Sequence, residues 1–274
     1  MAEMPRMTSL VQKKFGEAAA DYAASSVHAK GESLARLVAL VAPQSSWRVL
    51  DVATGAGHTA LAFAPHVAKV TASDVTDQML AEAKKLAAER GLGNVRTARA
   101  KAEDLPFPDM SFDLVTCRLA AHHFANPRAF VAEAYRVLMP DGVLAVVDNL
   151  SPDEPELARA YNEYEKLRDP SHGRCLGLAQ WTALLGDAGF AVTHSETIDQ
   201  TIEFDPWTKR MRCDAPTVAR LKALLGAEPL YSYLRPRESD KGLVFTLQEV
   251  IIVARKPGKQ RTSTKAPLQA KGSA

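Results

Sequence analysis

The stretch Val49-Leu50-Asp51-Val52-Ala53-Thr54-Gly55-Ala56-Gly57-His58-Thr59-Ala60 constrains this chain more than any other. An apolar run ends in an acid, a glycine-rich turn follows and a helical pattern begins, which reads as a strand, a nucleotide-cradling loop and a helix. Gly55, Gly57 and Ala60 also satisfy the phosphate-binding G-x-G-x-x-G/A fingerprint, so the spacing alone leaves open both a dinucleotide and another adenosine cofactor. Asp51 separates the two. A carboxylate at the strand mouth repels a pyrophosphate seated on a helix N-terminus. It suits S-adenosylmethionine, which has no phosphate and carries a positive sulfonium and a positive amino group. Ala53 through Gly57 are expected to bring backbone against that ligand, with Ala53 holding a position where glycine is commoner.

Around this loop, strand-like and helix-like patterns alternate, the signature of a mostly parallel, doubly wound α/β sheet covered on both faces. Strands are expected near 47–53, 69–74, 94–98, 112–117 and 142–149, with helices near 58–66, 76–90 and 126–139. Thr76 or Asp77 starts the second helix, Gly91 ends it, and Asn126-Pro127 starts the third. Beyond Leu150 come a charged helix to about Leu167, a loop at 169–177, a helix near 178–188, and strands near 190–199 and 243–254 around a helical insertion at 206–226. The last strand is a candidate for antiparallel pairing. A length of 274 residues with 46% hydrophobic content fits one large core with additions rather than two independent domains. We therefore expect an N-terminal helical lid at 1–45, a core at 46–255 with cap insertions at about 151–178 and 200–240, and a disordered basic tail at 256–274.

The ordered segments resemble the UbiE-like small-molecule branch of the class I S-adenosylmethionine-dependent methyltransferases. The resemblance rests on the Asp51–Gly57 loop, Asp74, Ala102-Glu103-Asp104-Leu105-Pro106-Phe107 and Ser111-Phe112-Asp113-Leu114-Val115. Ala121-His122-His123-Phe124, Arg136-Val137-Leu138-Met139-Pro140-Asp141-Gly142 and Leu167-Arg168-Asp169-Pro170-Ser171-His172 extend it, so that it spans roughly residues 10 to 255. It implies a seven-stranded Rossmann-like sheet with helical caps. It also implies cofactor contacts from Asp51, Ala53, Gly55 and Gly57, and from Asp74 to the ribose hydroxyls. Val75 and Met79 would face the adenine, Ala102 and Glu103 its edge, and Arg118 would complete the site. Lys101 stands where many relatives have an adenine-reading Asp, which shifts that role towards Glu103 and backbone groups. Tyr22 and His28 are candidate lid residues over the cofactor, with plain core packing the alternative.

The segment Arg118–Phe124 follows the fourth strand, at the sheet edge where open α/β folds bind ligands. His123 is the first candidate for a general base and His122 the second, with packing within a helical turn as the competing role. His172 and Arg174 are candidates to bind an anionic group on the acceptor. Tyr161, Tyr164, Trp181, Phe204 and Trp207 in the insertions suggest an apolar or aromatic metabolite, methylated on carbon, oxygen or nitrogen. Two alternatives remain at this level: an NAD-type oxidoreductase, and a protein that keeps the adenosyl cofactor without transferring methyl.

The chain carries none of the Asn/Asp-Pro-Pro-aromatic loop of nucleic-acid amino methyltransferases, and its body has no basic patch interleaved with aromatics. The expected partner is a small-molecule methyl acceptor and not a nucleic acid. Cys117, Cys175 and Cys213 are widely spaced with no C-x-x-C pair, which suggests neither a disulfide framework nor a metal site. No apolar run reaches the ~20 residues of a membrane span, and no signal-peptide core precedes Lys14, so a cytoplasmic location is expected. The oligomeric state is not encoded in any motif we recognise.

Overall fold

In the computed structural model, which describes residues 9, 10, 12, 16 and 31–258, the first strand and its loop fall where the sequence puts them. β1 (Arg48–Val52), β2 (Lys69–Asp74), β3 (Val95–Arg99), β4 (Phe112–Arg118) and β5 (Leu138–Asn149) pair in parallel in the order 3-2-1-4-5. Val49 to Val52 of β1 are all buried, as a parallel strand covered on both faces requires. β1 lies between β2 and β4. The strand order therefore reverses there, which opens a crevice beyond the carboxyl ends of β1 and β4.

Helices α1 (Glu32–Val41), α2 (His58–Phe63), α3 (Asp77–Glu89), α4 (Pro127–Val137), α5 (Pro155–Arg168) and α6 (Leu178–Asp187) form where amphipathic patterns and start signals coincide. Asn126 caps α4 by accepting from Ala129 N at 3.2 Å, and Pro127 supplies its first turn. Gly91, at φ +66°, follows the end of α3. One apolar core joins one sheet face to residues of α4 and α6, and a second joins the other face to α1 and α2.

The carboxyl-terminal half departs from expectation in two places. The helical insertion expected at 206–226 is three helices, α7 (Phe204–Arg210), α8 (Ala215–Leu225) and α9 (Leu230–Leu234). Asp214 breaks the run, since its carboxylate accepts from Thr217 N at 2.9 Å and starts a new helix at Ala215. Among the described residues the sheet also carries, beside the seven expected strands, a short eighth. β6 (Ala191–Glu203) and β8 (Gly242–Arg255) match the two expected strands, and the extra β7 (Arg237–Ser239) is a short, exposed hairpin partner of β8. Its Arg-Glu-Ser sequence carries no apolar alternation to announce it. β8 runs antiparallel between β5 and β6, bonded to both.

α5 and α7–α9 pack over one end of β8 around a third core that includes Tyr161, Tyr164, Phe204, Trp207 and Phe245. The ordered chain runs past residue 255: Lys256 Nζ donates to Tyr135 O and Leu138 O, both at 2.7 Å, and Gly258 N donates to Asp141 Oδ1 at 3.0 Å. Among the described residues, no helix is long and apolar enough to cross a membrane.

Candidate active site

A cleft opens over the carboxyl ends of β1, β2 and β4. Ala53, Thr54, Gly55, Asp74, Val75, Met79, Ala102, Glu103, Arg118 and His123 all line it, together with Lys101, Leu119 and Phe124. Two non-glycine residues on its walls, Ala53 and Leu119, both hold φ +53°, so the backbone is strained where β1 and β4 deliver the chain into the crevice. The two loop glycines have different jobs. A Cβ on Gly55 would meet nothing within 4 Å and would project into open space, whereas one on Gly57 would lie 2.9 Å from Ala83 Cβ of α3. Gly57 does not line the cleft. Its lack of a side chain serves the seating of α3.

Asp51 holds the loop through hydrogen bonds. It is buried and absent from the cleft walls. Its carboxylate accepts from Thr54 Oγ1 at 2.5 Å, Thr116 Oγ1 at 2.7 Å and Ala60 N at 3.1 Å, which ties the loop, β4 and α2 together. Burial pushes its carboxyl up to about 6, against the opposing pull of these three bonds. The native state thus holds the proton more tightly than the unfolded chain does. Ionised Asp51 weakens the fold above pH 6, and this penalty, about 3 kcal/mol, is relieved as pH falls from about 6 towards 4. Urea unfolding of the native protein and of Asp51→Asn should therefore show a stability difference that changes by that amount between pH 7 and about 4. Parallel pH profiles for the two proteins would contradict it.

Asp74 Oδ2 accepts from Gly55 N and Oδ1 from Thr76 N, each at 2.9 Å, so it both holds the loop and starts α3. A carboxylate has about four acceptor sites, which leaves room for further donors. Burial raises its pKa. Glu103 accepts from Ala125 N at 3.0 Å and Asn126 N at 3.4 Å, pinning the segment after β4 across the cleft. Arg118 reaches Ser33 Oγ of α1 at 3.4 Å through two of its nitrogens. Tyr22 and His28 lie outside the described residues. Gln12, which is described, donates to Val75 O at 2.9 Å.

Behind His123 and Leu119, which line both spaces, a smaller chamber of about 90 Å³ lies under α5, α7 and β8. His122, Asp169 and His172 line it with Glu165, Arg168 and Glu249. His122 Nδ1 sits 2.6 Å from Asp148 Oδ1. Burial alone would lower the His122 pKa, but Asp148, with Glu165 and Asp169, raises it above the ordinary value. His123 donates Nδ1–H to Ser171 O at 3.0 Å, and burial together with neighbouring His122 lowers it to about 4. His172 donates Nε2–H to Asn162 Oδ1 at 2.9 Å, and burial with the nearby cations lowers it to about 2.

The geometry separates the two candidates for acceptor binding. His172 is in the chamber, while Arg174 lines a different hollow beside Asp153 and Arg159. Of the five aromatics read as an acceptor pocket, only Trp207 lines the chamber. Tyr161, Tyr164 and Phe204 fill the core beneath the cap, and Trp181 belongs to the sheet core. The sequence reading missed Asp148, Glu165 and Glu249 as site residues. Their signal was present: each is an acid set within an otherwise apolar or helical run, as Asp51 and Asp74 are.

A family profile described as a methyltransferase domain matches residues 50–146. The uncharacterized methyltransferase YcgJ of Bacillus subtilis is 41% identical over 196 residues, covering 72% of this chain and 78% of that protein. The crystal structure of a candidate methyltransferase from Bacillus halodurans superposes with a TM-score of 0.79 at 38% identity, covering 83% of this chain and 100% of that one. The ubiquinone/menaquinone biosynthesis C-methyltransferase UbiE of Marinomonas sp. is 33% identical over 47% of this chain and 53% of its own length.

Proposed function

This chain belongs to the methyltransferase-domain family, and from that membership we propose that it moves the methyl group of S-adenosylmethionine onto a small metabolite. The observation that carries the cofactor choice is how the loop spends its N–H groups. Thr54 N donates to Ser73 O at 2.8 Å, Gly55 N to Asp74 at 2.9 Å, Gly57 N to Thr54 O at 2.9 Å and Ala60 N to Asp51 at 3.1 Å. A phosphate-binding loop aims such groups at its ligand. Here protein acceptors take these four, so the loop favours a phosphate-free adenosyl ligand over NAD. Asp74 fits the ribose hydroxyls, Val75 and Met79 the adenine faces, and Glu103 the adenine edge or the amino group. When bound there, the cofactor supplies a methyl carbon whose bond to the positive sulfur breaks as the bond to the acceptor forms, with the sulfur keeping the electron pair.

The protein's own part is to align the acceptor, exclude water and accept a proton where the acceptor brings one. His123 and Leu119, common to the cleft and the chamber, mark the junction at which an acceptor in the chamber meets the cofactor. His122 is the better base, because Asp148 orients it and raises its pKa, whereas His123 at about 4 holds a proton too weakly near neutrality. This reverses the order suggested by the sequence. The polar chamber also favours a polar acceptor over the apolar or aromatic one read from the insertions.

Calorimetric titration with S-adenosylmethionine, S-adenosylhomocysteine and NAD should give binding of the first two and no response to NAD. Asp74→Ala should weaken cofactor binding by about 2 kcal/mol through loss of charge-assisted bonds. Binding of NAD alone would overturn the proposal, and unchanged affinity in Asp74→Ala would remove Asp74 from the site.

A further inference from the structure

The chamber walls carry both kinds of unmet hydrogen-bonding group. Glu165 is 3% exposed, and its Oε2 lies 3.4 Å from Arg168 Nη1 while its Oε1 has no partner. Glu249 is 6% exposed and its Oε2 also has none. On the donor side, Arg168 Nε and Trp207 Nε1 are buried without acceptors, and the guanidinium lies 4.4 Å over the Trp207 ring. Each such orphan is costly, and more so when charged. The four come from α5, α7 and β8, separate elements that converge on one cavity. Their coincidence points to a ligand that brings donors and acceptors together.

We infer that the methyl acceptor is a small zwitterion of the amino-acid class, its ammonium seated on Glu165 and Glu249 and its carboxylate on Arg168 and Trp207 Nε1. This inference rests on the methyl-transfer reading. The faces of a quinone ring would leave the acids unmet. A molecule bearing only one of the two charges satisfies half of the wall. An ammonium nitrogen is no nucleophile until it loses a proton. His122 Nε2 is the ring nitrogen left to take it, because Nδ1–H is committed to Asp148. The N–H bonding pair then stays on nitrogen as the attacking lone pair, and His122 becomes the imidazolium beside Asp148.

The test uses the full-length protein. Binding of S-adenosylhomocysteine is measured first, because its absence sinks the methyl-transfer reading whatever the chamber does. With the protein saturated by that ligand, glycine, sarcosine, ethanolamine, propionate and hydroquinone are titrated separately by calorimetry and by saturation-transfer NMR. The expected result is that a zwitterion binds at least about tenfold more tightly than ethanolamine or propionate, and that hydroquinone does not bind. Glu165→Gln should weaken the zwitterion about tenfold with S-adenosylhomocysteine affinity unchanged, and Glu249→Gln, whose carboxylate also faces Arg118 of the cleft, should weaken the zwitterion about tenfold. Using the two variants guards against one of them failing to fold, which thermal unfolding reports. Saturable S-adenosylhomocysteine binding with no zwitterion binding, or with hydroquinone preferred, overturns the inference and leaves the cofactor assignment standing.

Discussion

Replacing His122 by glutamine is expected to lower turnover by about 10²–10⁴-fold, the range general bases supply, once an acceptor is in hand. Cofactor affinity should stay unchanged, because His122 lines the chamber and not the cleft. The pH dependence carries more information than the rate. The groups facing the imidazole are Asp148 from β5, Glu165 from α5 and Asp169 from the following loop, with His123 and His172 ring centroids at 4.2 and 5.5 Å. Burial lowers the two neighbouring histidines to about 4 and about 2, so near neutrality both are uncharged and the acids prevail. A base must be unprotonated to act. Rate should therefore climb with pH through the raised His122 pKa and level off above it. Asp148→Asn removes the largest raising influence, so the climb should move to lower pH while the plateau falls. A flat profile, or a larger loss in His123→Gln than in His122→Gln, would return the role to His123.

Gly57→Val should destabilise the fold by about 2–5 kcal/mol. Two independent penalties add. The backbone sits at φ +89°, where a β-branched residue costs about 1–2 kcal/mol or more. The new Cβ would also press to 2.9 Å from Ala83 Cβ and 3.2 Å from Ala83 Cα, an overpacking worth a further 1–3 kcal/mol, roughly, since backbone cannot swing aside. Urea unfolding reads the sum against a total stability of typically 5–15 kcal/mol. Gly55→Ala is the contrast. With φ +53° and nothing within 4 Å of its Cβ, it should cost about 1 kcal/mol of stability and chiefly impair cofactor binding. A stability loss in Gly57→Val no greater than that in Gly55→Ala would refute the division between the two glycines.

That division shows where sequence reasoning reaches its limit. The pattern Gly55-x-Gly57 announces a tight turn, but which glycine borders the cleft and which meets α3 depends on a neighbour 26 positions away, Ala83. β2 was legible to the residue at 69–74, because its alternating Val-Thr-Ala-Ser run is bounded by the charged Lys69 and Asp74. Asp51 was recognised as special for its place at a strand end. Its true partners, Thr116 and Ala60, come from elements that meet only in the sheet. Glu249 is harder still. It interrupts the apolar run of β8, and an acid in a strand reads as a solvent-facing position until the cap closes over it. The tyrosines and Trp181 misled for the opposite reason, since a large aromatic looks the same in sequence whether it lines a pocket or fills a core.

β8 is the last described element of the chain, yet it occupies an interior place in the sheet, with β5 on one side and β6 on the other. Ribosomal synthesis therefore delivers the keystone after every stone it must hold. Until residues 242–255 emerge, β5 and β6 each present an unpaired edge, the kind of surface that invites pairing with another chain. The nascent polypeptide can assemble β1 to β5 and the loop at Gly55 early, but the chamber has no Glu249 wall until β8 is made. A ribosome-stalled chain ending near residue 235 would thus hold the loop and the cleft without the wall that β8 gives the chamber.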